Sequence, residues 1–163
     1  VIIPALEGTR PLLVEIQSLV APTPYVPPRR TSDSIDIKKI QLLLAVLEKR
    51  VHLNMGTCDV YVKVAGGIKI DDPAVDLALC CAMASSFRNQ SIKPQTIIFG
   101  EVGLSGEVRS VSQPDIRVRE AIRMGFTNII LPAKNLERLE HFASNVQIHG
   151  VRYLSEALKI ALN

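Results

Sequence analysis

The chain has 163 residues, 47% of them hydrophobic and 21% charged, and 19 basic against 16 acidic side chains give a net charge of +3. This composition excludes global disorder and supplies enough chain to bury a sizeable core in one domain. No apolar run approaches the roughly 18 residues of a membrane helix, no basic leader opens the chain, and a first residue Val1 in place of Met points to a fragment of a longer protein.

Residues Val1 to Leu6 and Leu12 to Val20 read as two strands around the turn signal Glu7-Gly8-Thr9-Arg10-Pro11. In the second, Leu13, Glu15 and Gln17 alternate with Leu12, Val14 and Ile16, which wets one face. Residues 22–34 hold four prolines and predict an extended, mobile loop that carries Arg29 and Arg30. A helix follows from Asp36 to Arg50. Ile37, Ile40, Leu43, Leu44 and Leu47 fall at helical spacing, and Leu42, Ala45 and Val46 widen the apolar face, which predicts a helix deep in the core. Lys49 and Arg50 at its end suit the negative pole of the helix dipole.

Val60, Val62 and Val64 alternate with Tyr61 and Lys63 in a half-buried strand that Gly66-Gly67 breaks and Ile68-Lys69-Ile70 briefly resumes. A second helix is predicted to about Asn89, with Asp72 as N-cap and Pro73 in the first helical position. Thr96 to Val102 and Val108 to Val111 read as strands around a turn through Gly103 and Gly106. A helix from Asp115 to Met124 ends at Gly125. A strand from Asn128 to Leu131, a short helix from Leu136 to Phe142, a strand from Val146 to Ile148 and a helix from Leu154 to Leu162 complete the chain. Mixed elements with short links predict one α/β (α+β) domain over residues 1–163.

Cys58, Cys80 and Cys81 make a poor disulfide framework, being odd in number with one adjacent pair. They read as buried thiols of a reducing compartment in preference to metal ligands. There is no GxxxxGK[ST] loop, no GxGxxG and no HExxH, so the chain carries no nucleotide or zinc signature of its own.

Asp72-Pro73-Ala74-Val75-Asp76 resembles the Gly-Pro-Ser-Ala-Gly element of Lon peptidase domains, and Phe99-Gly100-Glu101-Val102-Gly103-Leu104-Ser105-Gly106 resembles their strand and turn. The stretches Ala121 to Gly125, Ile129 to Pro132 and Asn145 to Asn163 fit the same pattern. The resemblance implies the Lon proteolytic-domain fold, a ribosomal-protein S5 domain 2-like fold. Leu6 to Gln17, Leu42 to Arg50, Val64 to Gly67 and Phe99 to Leu104 are similar to the C-terminal domain of the RadA (Sms) family of bacterial DNA-repair proteins. That resemblance implies a cytoplasmic parent with an N-terminal zinc module and a RecA-like ATPase. ATP, Mg and Zn would then belong to the parent, with no cofactor in this domain. The implied partners are the ATPase domain of the same protein, further copies of the chain in a ring, most simply a hexamer, and DNA; no membrane is implied.

A Lon-type site needs a serine hydroxyl and a lysine amine to take its proton. The serine position falls on Ala74, the lysine position on Asp115, and the threonine before Gly-Glu on Phe99, which leaves no catalytic residue. Asp71, Asp72 and Asp76 crowd the helix start, where they suit the dipole but would repel an oxyanion. Their alternatives are capping with local hydrogen bonding and a divalent-ion site. Ser85 and Ser86 lie mid-helix, and His52, His141 and His149 lack evident triad partners. The basic residues Arg29, Arg30, Lys38, Lys39, Arg109, Arg117, Arg119 and Arg123 are the candidates for sequence-independent phosphate contact, against the plainer reading of a solvated, ion-paired surface. With only seven aromatics and no Trp, a base-stacking surface is poorly supplied. The competing readings are a serine-lysine peptidase with relocated residues and an oligomerising scaffold that does not touch DNA.

Overall fold

The computed structural model describes residues 1–139, 141–142 and 144–163. Strands β1 (Ile2–Glu7) and β2 (Arg10–Pro22) form an antiparallel hairpin whose register runs from Ile2 opposite Glu15 to Glu7 opposite Arg10. Gly8 turns the chain at φ +66°, a conformation glycine adopts without a Cβ penalty. The second strand is longer at both ends than its Leu12–Val20 core, because ladder hydrogen bonds continue through the polar ends of a periodic segment.

The proline-rich segment is not loop throughout. Arg30–Ser32 forms a short strand, β3, parallel to β4 (Cys58–Val64). Helix α1 (Ile37–Val51) starts where the Asp36 carboxylate accepts the Lys38 N–H at 3.0 Å. It buries one stripe only: Ile40, Leu43, Val46 and Leu47 face inward, while Leu42 is 55% exposed and Ala45 is also exposed. The expected wide apolar face is therefore half wet, because a helix that packs at the edge of the fold, here on α2, α5 and β3, buries a stripe and not its circumference.

After β4 the chain makes one tight helical turn through Gly66 and Gly67, both at positive φ, and residues 68–70 form no strand. Helix α2 (Val75–Arg88) begins three residues after Asp72. Its first ten residues, Val75 to Ala84, are all buried, so α2, and not α1 as expected, is the helix in the middle of the core. Strand β5 (Thr96–Ile98) is separated from the β6 (Glu101–Val102) and β7 (Val108–Arg109) hairpin by Phe99-Gly100. The expected single strand from Thr96 to Val102 is split there. A Cβ on Gly100 would meet Val108 Cγ1, Pro132 Cγ and Leu77 Cδ2 at 3.1 to 3.3 Å, so the chain turns where only glycine fits. Helix α3 (Pro114–Arg123), β8 (Asn128–Pro132), α4 (Ala133–Leu136), β9 (Gln147–Val151) and α5 (Leu154–Ala161) follow. The short helix expected over Leu136 to Phe142 lies earlier, starting directly after Pro132; Glu140 of that expectation is outside the described residues.

Seven strands form one mixed sheet in the order β3-β4-β2-β1-β5-β8-β9, parallel from β1 through β9 and antiparallel on both sides of β2. Helix α2 packs on β2 and against α1 and α5, and α3 packs on β1 and β2. Among the described residues no helix is long and apolar enough to cross a membrane.

Cys58, Cys80 and Cys81 are buried free thiols. Burial pushes the Cys80 thiol well up, and pushes Cys81 up to about 12. Since thiolate is the reactive form, Cys80 and Cys81 are expected to resist iodoacetamide at pH 8 in the native protein and to react on denaturation. Mass-spectrometric counting of adducts checks this; rapid native labelling of either would contradict it.

Candidate functional site

Strands β1 and β5 pair only at Ile2 opposite Ile97, and beyond that point β1 has an open edge. An unpaired strand edge inside a protein leaves costly backbone groups. Here an ion pair takes the place of the missing strand. Arg117, fully buried on α3, donates from Nη1 to the Pro4 carbonyl at 2.8 Å, and the Asp72 carboxylate accepts the Leu6 N–H at 3.2 Å. The two side chains pair in a fork, Nη1 to Oδ2 at 2.7 Å and Nη2 to Oδ1 at 3.1 Å. Arg117 Nε donates to the Ser112 carbonyl at 3.0 Å, and Asp72 Oδ1 also accepts the Ala74 N–H at 3.0 Å. Planar guanidinium is the side chain suited to such a fork.

This pair lies among the positions singled out by the sequence. Ala74 is fully buried at the start of α2, its N–H held by Asp72 and its carbonyl by the Gly100 N–H at 2.9 Å. The Phe99 ring, also fully buried, lies 5.8 Å from the Arg117 guanidinium carbon. Asp115 stands half-buried in the first turn of α3, with Oδ1 lacking a hydrogen-bond partner among the described residues. Ala74 and Phe99 thus meet around Arg117, and Asp115 lies two positions before it on the same helix.

Asp72 and Asp76 divide their work. Burial pushes the Asp72 carboxyl up, but the Arg117 hydrogen bonds and charge, with the Ala74 and Leu6 N–H groups, outweigh it and hold the group below its ordinary value. Asp76 goes the other way: burial dominates and raises it, although Lys39 Nζ lies 2.6 Å from Oδ1 and the Val102 N–H reaches Oδ2 at 3.3 Å. Neither Asp72 nor Asp76 is the simple helix cap expected. Asp72 bonds the N–H of Ala74, outside α2, and Asp76 joins α1, α2 and β6.

Arg117 must therefore leave the set of surface phosphate contacts, because a buried carboxylate holds it inside, and the part-exposed Lys39 is paired with Asp76. Arg117 falls at the same helical face as Ala121, four positions on, and that spacing was the available signal. Arg30 does not reach outward; it is half-buried and donates to the carbonyls of Met55 (3.1 Å) and Cys58. Arg29 is exposed and lies over the Tyr25 ring at 4.4 Å. Lys38 and Arg119 are exposed. Arg123 is exposed but forked onto Glu120, with Nη2 to Oε1 at 2.7 Å and Nε to Oε2 at 2.9 Å. Arg109 lies on β7 beside Lys134 and Arg152, which are distant in sequence.

The other conceivable nucleophiles are tied down. Ser85 Oγ donates to the Gln90 carbonyl at 2.5 Å, and Ser86 Oγ accepts the Val20 N–H at 2.9 Å. His149 Nε2 bonds Asn128 Oδ1 at 2.9 Å, and burial together with Lys93 lowers its pKa. His52 ends α1 in the left-handed region. Among the described residues no three His, Cys, Asp or Glu side chains gather as metal ligands would.

The Lon protease (S16) C-terminal proteolytic domain family matches residues 38–163. The chain is 46% identical over 161 residues to the DNA repair protein RadA of Halalkalibacterium halodurans, covering 99% of this chain and 35% of that protein. It is 48% identical over 158 residues to RadA of Bacillus subtilis, covering 97% and 34%. Against RadA of Synechocystis it is 48% identical over 128 residues, covering 78% and 25%. The chain spans 35% or less of the length of these three relatives.

Proposed function

Because the chain belongs to the Lon protease (S16) C-terminal proteolytic domain family and is similar to RadA proteins over nearly all of its length, we propose that it is a Lon-fold domain without peptidase chemistry in a RadA-type DNA-repair protein. In this reading it builds a ring of identical subunits, a hexamer, and contacts DNA through phosphates without regard to base sequence. ATP hydrolysis, with its Mg, and a zinc module belong to the remainder of a cytoplasmic parent.

One observation supports the non-peptidase reading above all others. The forked Arg117–Asp72 pair occupies the space around Ala74 and Phe99. An acyl-transfer site needs a nucleophile, a proton acceptor and donors aimed at an open position where an oxyanion forms. Ala74 offers no nucleophile and no access to solvent. The donors of Arg117 are already spent on Asp72, Pro4 and Ser112. The RadA likeness supports the DNA-repair setting, and exposed Arg29, Lys38, Arg109 and Arg119 supply a surface for phosphates.

Fluorophosphonate labelling and casein turnover test the first part, with Ala74→Ser and Ala74→Ser/Asp115→Lys alongside the unmodified chain. No label and no turnover are expected from any of them, since the added hydroxyl would sit in a sealed, hydrogen-bonded place. Turnover by the unmodified chain that disappears in Ser85→Ala or Ser86→Ala would favour relocated catalytic residues instead. Sedimentation and DNA titration across salt concentrations test the assembly and DNA parts. A protein that neither self-associates in its full-length parent nor binds DNA at low salt would refute them.

A further inference from the structure

A groove of about 500 Å³ runs between β7, α4 and the segment from Val151 to Tyr153. Its floor is apolar, with Val108 and Val151 buried beneath it. Gly150 sets one wall: a Cβ there would lie 2.7 Å from Leu136 Cδ2 and 3.1 Å from the Ala133 backbone, so only glycine lets α4 rest against β9. The other wall exists because β7 is tied down at its base, where the Val108 N–H donates to the Arg152 carbonyl at 2.8 Å.

Arg109, Lys134 and Arg152 reach this groove from its three sides, and all are exposed. None of the three has an ion-pair partner among the described residues. The nearby acids form no ion pair with them, although Glu101 stands opposite Arg109 across the β6–β7 pair. Glu107 folds its carboxylate against Gly103, and Glu156 bonds the Arg152 backbone N–H at 3.3 Å. Glu137 lines the groove beside Glu107. Among the cations sits Tyr153, 54% exposed, on a backbone held by the start of α5. A half-exposed aromatic ring set among three cations that form no ion pair, over an apolar floor, matches a strand of nucleic acid whose bases are unpaired. Phosphates meet the cations and one base stacks on the ring. A duplex keeps its base faces buried and could use only the cations.

Resting on the DNA-binding reading above, we propose that the groove of Arg109, Lys134, Arg152 and Tyr153 is a binding site for single-stranded nucleic acid. Substitutions there spare the core, because all four side chains are exposed.

The test uses this chain with a fluorescein-labelled twenty-nucleotide thymidine oligomer, the matching duplex and a glutamate-rich peptide, followed by anisotropy at several salt concentrations. Arg109→Ala/Lys134→Ala/Arg152→Ala is expected to weaken the oligomer at least tenfold and to reduce the slope of log K against log salt by about 2, the value for three lost phosphate contacts on a single strand. Tyr153→Ala should weaken the oligomer roughly tenfold and leave the duplex unchanged, while Tyr153→Phe keeps wild-type binding. Circular dichroism verifies that each variant is folded. Oligomer binding that survives the triple substitution with its slope intact would overturn the site and leave DNA binding itself standing. Absence of DNA binding by the unmodified chain would overturn both. Peptide binding in place of oligomer binding, lost in the triple variant, would assign the groove to an acidic protein and overturn the nucleic-acid proposal. An equal loss for duplex and oligomer in Tyr153→Ala would overturn the preference for single strands.

Discussion

Replacing Arg117 with alanine is expected to cost about 3–5 kcal/mol of folding stability, the cost of breaking a buried ion pair from one side. The change strands the Asp72 carboxylate, whose side chain is 11% exposed, and leaves the Pro4 and Ser112 carbonyls without their donor. In urea this should lower the unfolding midpoint by roughly 2 M for a protein of this size. Arg117→Lys should recover only part of the loss, because an ammonium cannot span both carboxylate oxygens and two carbonyls in the same plane. The double variant Arg117→Met/Asp72→Leu should be more stable than Arg117→Ala, since it removes the stranded charge. A midpoint within 0.3 M of wild type for Arg117→Ala (about 0.6 kcal/mol at a typical slope) would show that the pair holds nothing together.

The same pair predicts an acid limb. The folded pKa of Asp72 lies below its ordinary value of 3.8. Its stabilisation is therefore present at neutral pH and is lost as pH falls below about 4 through the depressed folded value. Asp76, raised by burial, opposes this, because its protonation favours the folded state as pH falls. Asp72→Asn should flatten the loss of stability with acid; an unchanged acid limb in that variant would assign it to other carboxylates.

Phe99→Thr is expected to cost about 3–5 kcal/mol as well, in the range of buried Phe truncations. Phe99 is fully buried, and its ring lies beside the Arg117 guanidinium. Threonine is the residue that the Lon pattern carries at this place, so the change restores a family residue while opening a cavity and inserting a hydroxyl. The consequence is that stepwise reversion toward a peptidase passes through a destabilised protein: each restored group enters a space already filled by the Arg117–Asp72 pair and the Phe99 ring. Thermal unfolding of Phe99→Thr, Phe99→Leu and wild type checks this. Phe99→Leu should fall between the other two because it keeps most of the volume. A Phe99→Thr protein as stable as wild type would mean that the space around Ala74 is loose enough to accept a polar site.

Most of the element order could be read from the chain, because hydrophobic periodicity and breakers act locally. The α1 stripe, the alternating valines of β4, the β8 run ended at Pro132 and the apolar run Leu77 to Ala84 of α2 each carry their own signal. Family character was also legible, since strings such as Phe99 to Leu104 are long and ungapped. Errors gathered where partners distant in sequence decide the outcome. Arg30–Ser32 became a strand because β4 offers an edge, not because of its own propensity. Leu42 is wet because α1 turns only one face to α2, α5 and β3.

The candidate site followed the same division. That Ala74 lacks a nucleophile and that Asp115 is no amine are properties of side chains, and the sequence by itself determined them. What fills the space around Ala74 was decided by the tertiary structure alone: β1 parts from β5, and Arg117 meets Asp72 there from 45 positions away. Arg117 and Arg119 look alike in the sequence, yet one is buried and one exposed. The physical reason is that an arginine enters a core only where an opposing carboxylate and free carbonyls await it, and folding brings those groups together. Arg109, Lys134 and Arg152 make the same point at the surface, because only the docking of β7 and α4 against β9 sets them around one groove.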